Sequence, residues 1–391
     1  MNRRTFASIP LVLSLAACSS SVAPSPTELA TVASSLSPPP SPSSAQSPSA
    51  SPAISPSGGT IFFGRSVAGR DDRFVLMSPD GSKERELDIP TFNCAECGVG
   101  SPDGRWIAVP VEREGGVGTA ILQSSGDGYV ELPRPVGLSL APRAFAPSGD
   151  RLAYDGWSDE DPSQIGTWTS EPDGSDLKHI VVSPDGRHYI PMGYSPDGRL
   201  LLLHRDGGTG FDMDHAGDLF VVDATGGEPR QLNPAGMVAV GFDGVGFNPA
   251  SWSPDSASVA FGGLYVADAD GKSAVFVTDV DTLVSRQVSA WTRYDLYARW
   301  SPTGEWIAFD ASPGGQGRGI SIVKPDGTGE RTLTASDRIA CCVDWSHDGR
   351  FLVHIRGPER ASDLWVMDLE GGAIQVTHTP GTYMAPWWLR A

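Results

Sequence analysis

The chain has 391 residues, with 47 acidic against 29 basic side chains and a formal net charge of −18. A field of that sign repels phosphate, which excludes nucleic acid and an anionic lipid surface as electrostatic partners and leaves neutral or cationic ones. The length alone allows two or three domains, but a long-period internal repeat places most of it in one large core.

Met1 to Cys18 begins with Arg3 and Arg4, continues through the apolar Ile9 to Leu15, and ends in Leu15-Ala16-Ala17-Cys18. The apolar run is too short for a bilayer, while the basic start and small residues before the break read as an export signal. Leu-Ala-Ala-Cys resembles the bacterial lipobox, which implies that Cys18 is diacylated and becomes the mature N-terminus; an ordinary cleaved signal with an incidental Cys is the alternative. Asn2-Arg3-Arg4-Thr5-Phe6 also resembles the twin-arginine export motif, with Asn2 where Ser or Thr is usual, so the export route stays open. Residues 19–57 are almost wholly Ser, Pro, Ala and Thr, with Glu28 the only charge. Such a segment cannot bury enough apolar surface to offset its ordering entropy, and its prolines keep it extended, so it reads as a disordered tether.

From residue 58 a repeat organises the chain. Trp300-Ser301-Pro302-Thr303-Gly304-Glu305-Trp306-Ile307-Ala308-Phe309 is an aromatic strand end, a four-residue turn and an apolar strand. Proline presets φ in the turn and glycine takes the φ > 0 position. The turn recurs at Ser101-Pro102-Asp103-Gly104, Ala146-Pro147-Ser148-Gly149, Ser195-Pro196-Asp197-Gly198, Ser253-Pro254-Asp255-Ser256 and Ser346-His347-Asp348-Gly349, in steps of 45, 49, 58, 48 and 45 residues measured between the prolines, with His347 standing for the last. That period predicts an all-β, seven-bladed β-propeller of four-stranded antiparallel blades over residues 58–391. Each turn leads to a doubly buried second strand, then a third such as Asp363 to Met367, then a polar fourth such as Ala373 to Thr377. The first blade starts at its second strand, Thr60 to Phe63, continues through Arg73 to Met77, and places its fourth over Lys83 to Ile89. Tyr383 to Trp388 repeats the aromatic strand end and is expected to supply the missing first strand, closing the ring without an exposed edge.

The aromatic-Ser-Pro-Asp-Gly-Arg turns, the Leu-Trp-Val-Met-Asp third strand and the Gln-Val-Thr fourth strand resemble the propeller repeats of TolB and related WD-like periplasmic proteins. TolB itself is usually described with six blades and an added α/β domain, so the resemblance implies fold and extracytoplasmic location rather than orthology. The prolyl oligopeptidase family carries similar propellers joined to a hydrolase domain; no Gly-x-Ser-x-Gly nucleophile motif occurs in this chain. The resemblance therefore favours a non-catalytic protein- or peptide-binding monomer, lipid-anchored outside the cytoplasm of a bacterial envelope. A propeller enzyme or carbohydrate-binding protein is the alternative.

Candidate binding residues fall on the loops after second strands and between blades, where sheets hold variable loops rigid. Three of these segments are acidic and contribute Asp159 and Asp161; Asp212, Asp214 and His215; and Asp268 and Asp270. They suit a cationic peptide or Ca²⁺, against the plainer reading of solvated loops on an acidic protein. No organic cofactor is expected. Trp291, Arg293 and Tyr294, leading into the sixth turn, are aromatic and Arg anchors of the kind that dominate interfaces; for Tyr297 and Trp300, packing between blades is the favoured reading. The histidines form no paired metal motif, which counts against the His-rich metal chemistry of oligogalacturonate lyase propellers. Cys94, Cys97, Cys341 and Cys342 immediately precede innermost strands. Export favours disulfides, either Cys94 to Cys97 and a vicinal Cys341 to Cys342, or a cross-pairing that staples the ring. A zinc site of four thiolates is the sharper alternative.

Overall fold

The Ser-Pro-Asp-Gly turns at Ser101 and Ser195 close their hairpins with the same bonds. The serine Oγ donates to the aspartate Oδ1, at 2.6 Å for Ser101–Asp103 and for Ser195–Asp197. The same Oγ accepts the first N–H of the next strand, from Trp106 and Leu200 at 2.9 Å. The aspartate in turn accepts the N–H of Arg105 and Arg199 at 3.1 Å. Gly104, Gly149, Gly198, Gly304 and Gly349 adopt φ between 68° and 77°, the region glycine enters without a Cβ penalty. Ser256 stands there at φ 64°, and its Oγ accepts the N–H of Asp197 from the preceding turn at 3.0 Å.

The computed structural model describes residues 54–67, 72–89, 98–125, 128–206, 216–240, 250–267, 272–291, 293–312, 318–334, 340–357, 362–379 and 381–390, all within the compact unit Ala50–Ala391. Among them there is no α-helix, and one 3-10 turn, Pro162–Gln164. Strands Val99–Gly100, Trp106–Arg113, Gly116–Gln123 and Tyr129–Glu131 form one antiparallel four-stranded sheet. Ser139–Phe145, Leu152–Trp157, Gly166–Ser170 and Lys178–Val182 form the next, and two more run from Arg293–Trp300 to Arg331–Thr332 and from Ala340–Trp345 to Ala373–Gln375. Between residues 189 and 287 a nine-stranded sheet arises because Met237–Ala239 bridges Gly217–Asp223 and Ser258–Tyr265. The C-terminal strand Thr382–Leu389 pairs with Thr60–Ser66 in a sheet completed by Arg73–Met77 and Arg85–Glu86, with Ile61 opposite Trp388.

Outer strands are shorter than the sequence pattern suggests. The ladder covers only Arg85–Glu86 of the expected Lys83 to Ile89 and Ala373–Gln375 of the last repeat, with one further bond each, from Leu87 N–H to Phe74 O at 2.8 Å and from Val376 N–H to Leu364 O at 2.9 Å. Short edge strands limit the unpaired backbone a sheet presents, and the chain beyond each ladder turns inward, burying Leu87, Ile89 and Val376. The Thr after that last strand has a different task. Thr377 Oγ1 accepts the N–H of Leu364 at 2.9 Å, as Thr334 does for Ile320, at 2.9 Å, and Ser289 for Val275, at 2.9 Å, tying each outer edge to the start of its third strand.

Apolar clusters form between consecutive sheets. Phe62, Phe74 and Leu76 pack with Ile107, Val109 and Leu122; Ile320 and Ile322 pack with Trp345 and Leu352; Phe63 and Val75 pack with Val353 and Val366. Consecutive turns also touch: a β-carbon built on Gly349 would lie 2.8 Å from Thr303 Cγ2, and one on Gly304 would lie 3.7 Å from Pro254 Cγ. The turns therefore share one end of the sheets, and the ends of second strands share the other. Innermost strands carry bulges, between Pro142 and Ala144, Pro191 and Gly193, Leu296 and Arg299, and Cys341 and Asp344. A bulge bends the strand and re-aims a side chain. Tyr297 and Cys342 take φ 57° and 64° at equivalent bulge positions.

Candidate functional site

Asp155 is the fourth residue of Leu152–Trp157 in a strand whose other residues before Trp157 are apolar or glycine and buried. Its side chain is 7% exposed. Burying a carboxylate requires partners, and two elements supply them. His188, just before Tyr189–Tyr194, places Nδ1 2.8 Å from Asp155 Oδ1. Arg143, at the bulge of Ser139–Phe145, places Nη2 3.7 Å from Asp155 Oδ2. The indole of Trp157 stands 6.0 Å from the His188 ring, tilted by 58°. The carboxylate fixes the orientation of the imidazole through Nδ1.

The equivalent position of the strand Ile307–Ser312 holds Asp310, since Leu152 faces Phe145 as Ile307 faces Trp300. Asp310 is fully buried, and Arg318 Nη2 donates to its Oδ2 at 2.9 Å. Burial works to lower the Arg318 guanidinium, but Asp310, with Cys341, Cys342 and Tyr297 nearby, outweighs it and holds the group above its usual range. Arg299 and Asp344 keep some accessible surface, yet are packed densely enough that desolvation dominates both: burial lowers Arg299 and raises Asp344, and each opposes the shift of the other. Asp344 Oδ2 accepts the N–H of Trp388 at 2.8 Å, and Arg299 lies 5.2 Å over the Trp387 ring.

Of the residues singled out by sequence, Asp159 and Asp161 are exposed beside the buried Asp155. Asp161 caps the 3-10 turn, accepting from Ser163 N at 3.0 Å and from Ser163 Oγ at 2.6 Å, bonds that hold its carboxyl below the usual range. Trp291 is 39% exposed, and with Tyr265, 40% exposed, it stacks around Phe276 at ring distances of 5.8 to 6.2 Å. Tyr265 ends a second strand, so this aromatic pair shares the end of the sheets with Asp155 and Trp157. Tyr297 is buried, in keeping with a packing role. Cys18, Cys94, Cys97, Asp212, Asp214, His215, Asp268 and Asp270 lie outside the described residues, as do the side chains of Arg293 and Tyr294. Among the described residues no group of three His, Cys, Asp or Glu is placed to hold a metal.

Cys341 and Cys342 are free thiols, joined by a side-chain hydrogen bond rather than the vicinal bridge expected from export. Burial, followed by the Cys341 contact, pushes the Cys342 thiol well above its ordinary range. A neutral thiol is a poor nucleophile, so burial slows any reaction of Cys342.

Asp155, Arg143 and His188 are the residues that sequence reading missed. Asp155 read as the head of the acidic insertion that runs through Asp159 and Asp161 rather than as part of the buried strand before it; Arg143 and His188 gave no signal, because their role depends on a bulge and on the neighbouring sheet.

No protein-family model and no curated protein sequence matches the chain. Solved structures do. The fold is similar to that of puromycin hydrolase, with a TM-score of 0.60 at 17% identity over 86% of this chain and 54% of that one. It is also similar to a prolyl endopeptidase structure, with a TM-score of 0.57 at 10% identity over 85% of this chain and 49% of that one. This chain thus spans about half the length of both hydrolases. TolB from Acinetobacter baumannii matches at a TM-score of 0.48 and 15% identity, over 84% of this chain and 82% of that one. The likeness is one of fold alone: a β-propeller of the kind that prolyl oligopeptidase-type proteins contain.

Proposed function

We propose that this chain is an extracytoplasmic, lipid-anchored, monomeric propeller of seven blades, closed by its C-terminal strand, that binds a protein or peptide without catalysing a reaction. The observation that carries the binding role is the grouping at the loop end: a buried Asp155 that orients His188, Arg143 behind it, Trp157 alongside, and the exposed Trp291 and Tyr265 at the same end of the sheets. Preset polar groups with large, rigid aromatics at low entropic cost are what interfaces use as anchors. The exposed Asp159, Glu160 and Asp161 beside them favour a cationic partner. Pairing of Thr382–Leu389 with Thr60–Ser66 supports closure, and dividing the nine-stranded sheet into two blades gives the count of seven.

The same Asp155–His188 pair, 2.8 Å apart, supports a second reading as a propeller enzyme or carbohydrate-binding protein with its site on this face. A photo-crosslinking residue at position 157 or 291 of the full chain tests the first reading in cells. A discrete protein or peptide adduct is expected at both positions, absent from position 106 on the turn side and lost with His188→Ala. Equal labelling at position 106, or none at 157 and 291, sinks the binding role.

A further inference from the structure

Cys341 and Cys342 are adjacent free thiols near the start of the innermost strand Ala340–Trp345, where Cys341 faces Ile355 at the loop end of the second strand. Successive side chains of a regular strand point to opposite faces. Here the register slips between Cys341 and Asp344, Cys342 takes φ 64°, and both side chains pack against the one cluster that contains Val353 and Leu364. The bulge therefore sets the two sulfurs on one side, where both act on the same Arg318 guanidinium. Cys342 is 8% exposed, while Cys341 keeps part of its surface accessible. Asp310 pairs with Arg318, and Asp344 stands beside Arg299, so the neighbouring charges balance and leave no net positive field to hold two thiolates. Among the described residues no third His, Cys, Asp or Glu completes a metal site with them.

We propose that this adjacent pair chelates a trivalent arsenical. A metal cation takes thiolates and drives both protons into solution, which a buried, charge-balanced site opposes. An organoarsenical R–As(OH)2 instead exchanges its two hydroxyls for the two sulfurs. Two As–S bonds form, two As–O and two S–H bonds break, each thiol proton leaves with a hydroxyl as water, and arsenic stays trivalent. The product is neutral and needs no oxidant. A linear two-coordinate metal would hold the sulfurs on opposite sides of itself, whereas a pyramidal arsenic takes them on one side, as the bulge presents them, and keeps its third position for R. Capture begins at the accessible Cys341. Closure onto Cys342 is then intramolecular, and that proximity offsets the burial which slows Cys342 towards a one-site reagent. The site depends neither on the lipid anchor nor on the binding role proposed for the loop end.

Native mass spectrometry of the reduced, detergent-solubilised full chain, with phenylarsine oxide as the probe, tests the proposal. In a Cys94→Ser/Cys97→Ser background, which removes the other closely spaced cysteines, one adduct per chain is expected, displaced by a dithiol but not by an equal concentration of a monothiol. Cys341→Ser and Cys342→Ala are each expected to weaken it about a hundredfold or more, because a single As–S bond loses the chelate advantage. Cys341→Ser, at the partly accessible position, guards against a loss that reflects misfolding. Trypsin digestion of the unaltered chain without reductant needs no substitution: residues 339–350 should carry one arsenic with both sulfurs blocked. Absence of arsenic from that peptide, or an adduct that survives Cys341→Ser or Cys342→Ala undiminished, overturns the proposal. Tighter retention of Zn²⁺ or Cu⁺ than of the arsenical by the same pair overturns the choice of ligand.

Discussion

Trp388 offers a direct measure of how strongly the two ends of the chain hold each other. Its side chain is 7% exposed, within the cluster that joins Phe63 and Val75 to Val353 and Val366. The indole stacks on Phe351 with ring centroids 6.5 Å apart, its Nε1 donates to Gly58 O at 3.0 Å, and its backbone N–H donates to Asp344 Oδ2 at 2.8 Å. Trp388→Ala removes the packing and the indole bond and leaves the backbone bond in place. Truncating a buried Trp costs ~3–5 kcal/mol. For a domain of this size each kcal/mol moves Tm by on the order of 2 °C, so a fall of roughly 6–10 °C is expected. Trp388→Phe keeps most of the packing and deletes one hydrogen bond, for about 1 kcal/mol and roughly 2 °C. Trp106, 38% exposed, is the control, with Trp106→Ala expected within about 0.5 kcal/mol plus its modest packing loss. Scanning calorimetry or thermal circular dichroism on the full chain reads all three. A Trp388→Ala melting curve superimposed on that of the unaltered protein would refute the claim that the C-terminal strand is integral to the sheet of Thr60–Ser66.

Three more predictions test other levels of the account. Replacement of Cys18 by Ser should release the mature protein from the membrane fraction; unchanged membrane retention would count decisively against lipid attachment. Serine hydroxyls hold the turn carboxyls of Asp103 and Asp197 at about 2 against an ordinary 3.8, so their contribution is complete above about pH 4 and is lost as pH falls towards 2. Urea midpoints should decline across that window, less so in Ser101→Ala and Ser195→Ala, and an equal decline in those variants would rule out the turns as its source. In the native protein at pH 8, iodoacetamide should modify Cys342 at least tenfold more slowly than after denaturation, because burial favours its neutral thiol; rapid native labelling, or a bridge to Cys341, would contradict the free buried pair.

The spacing of Ser-Pro-Asp-Gly turns by itself determined an all-β propeller fold, because the turn's chemistry is local: proline, a serine–aspartate bond and a glycine at positive φ lie within a few consecutive residues. The same locality made the apolar second strands and the C-terminal aromatic strand legible, down to Trp388 opposite Ile61. Outer-strand length was not legible, since it depends on where the chain leaves the ladder to bury Leu87, Ile89 and Val376. The polar centres were not legible either. Asp159 and Asp161 stood out because acidic loop residues are conspicuous, yet their carboxylates face water or cap a turn, while the buried Asp155 draws its partners from 12 residues before it and 33 after it. Only the bulge in Ser139–Phe145 and the neighbouring sheet bring Arg143 and His188 to it. Periodicity fixes which way a strand faces; which side chains then meet across the axis is decided by twist, bulges and the order of sheets in space.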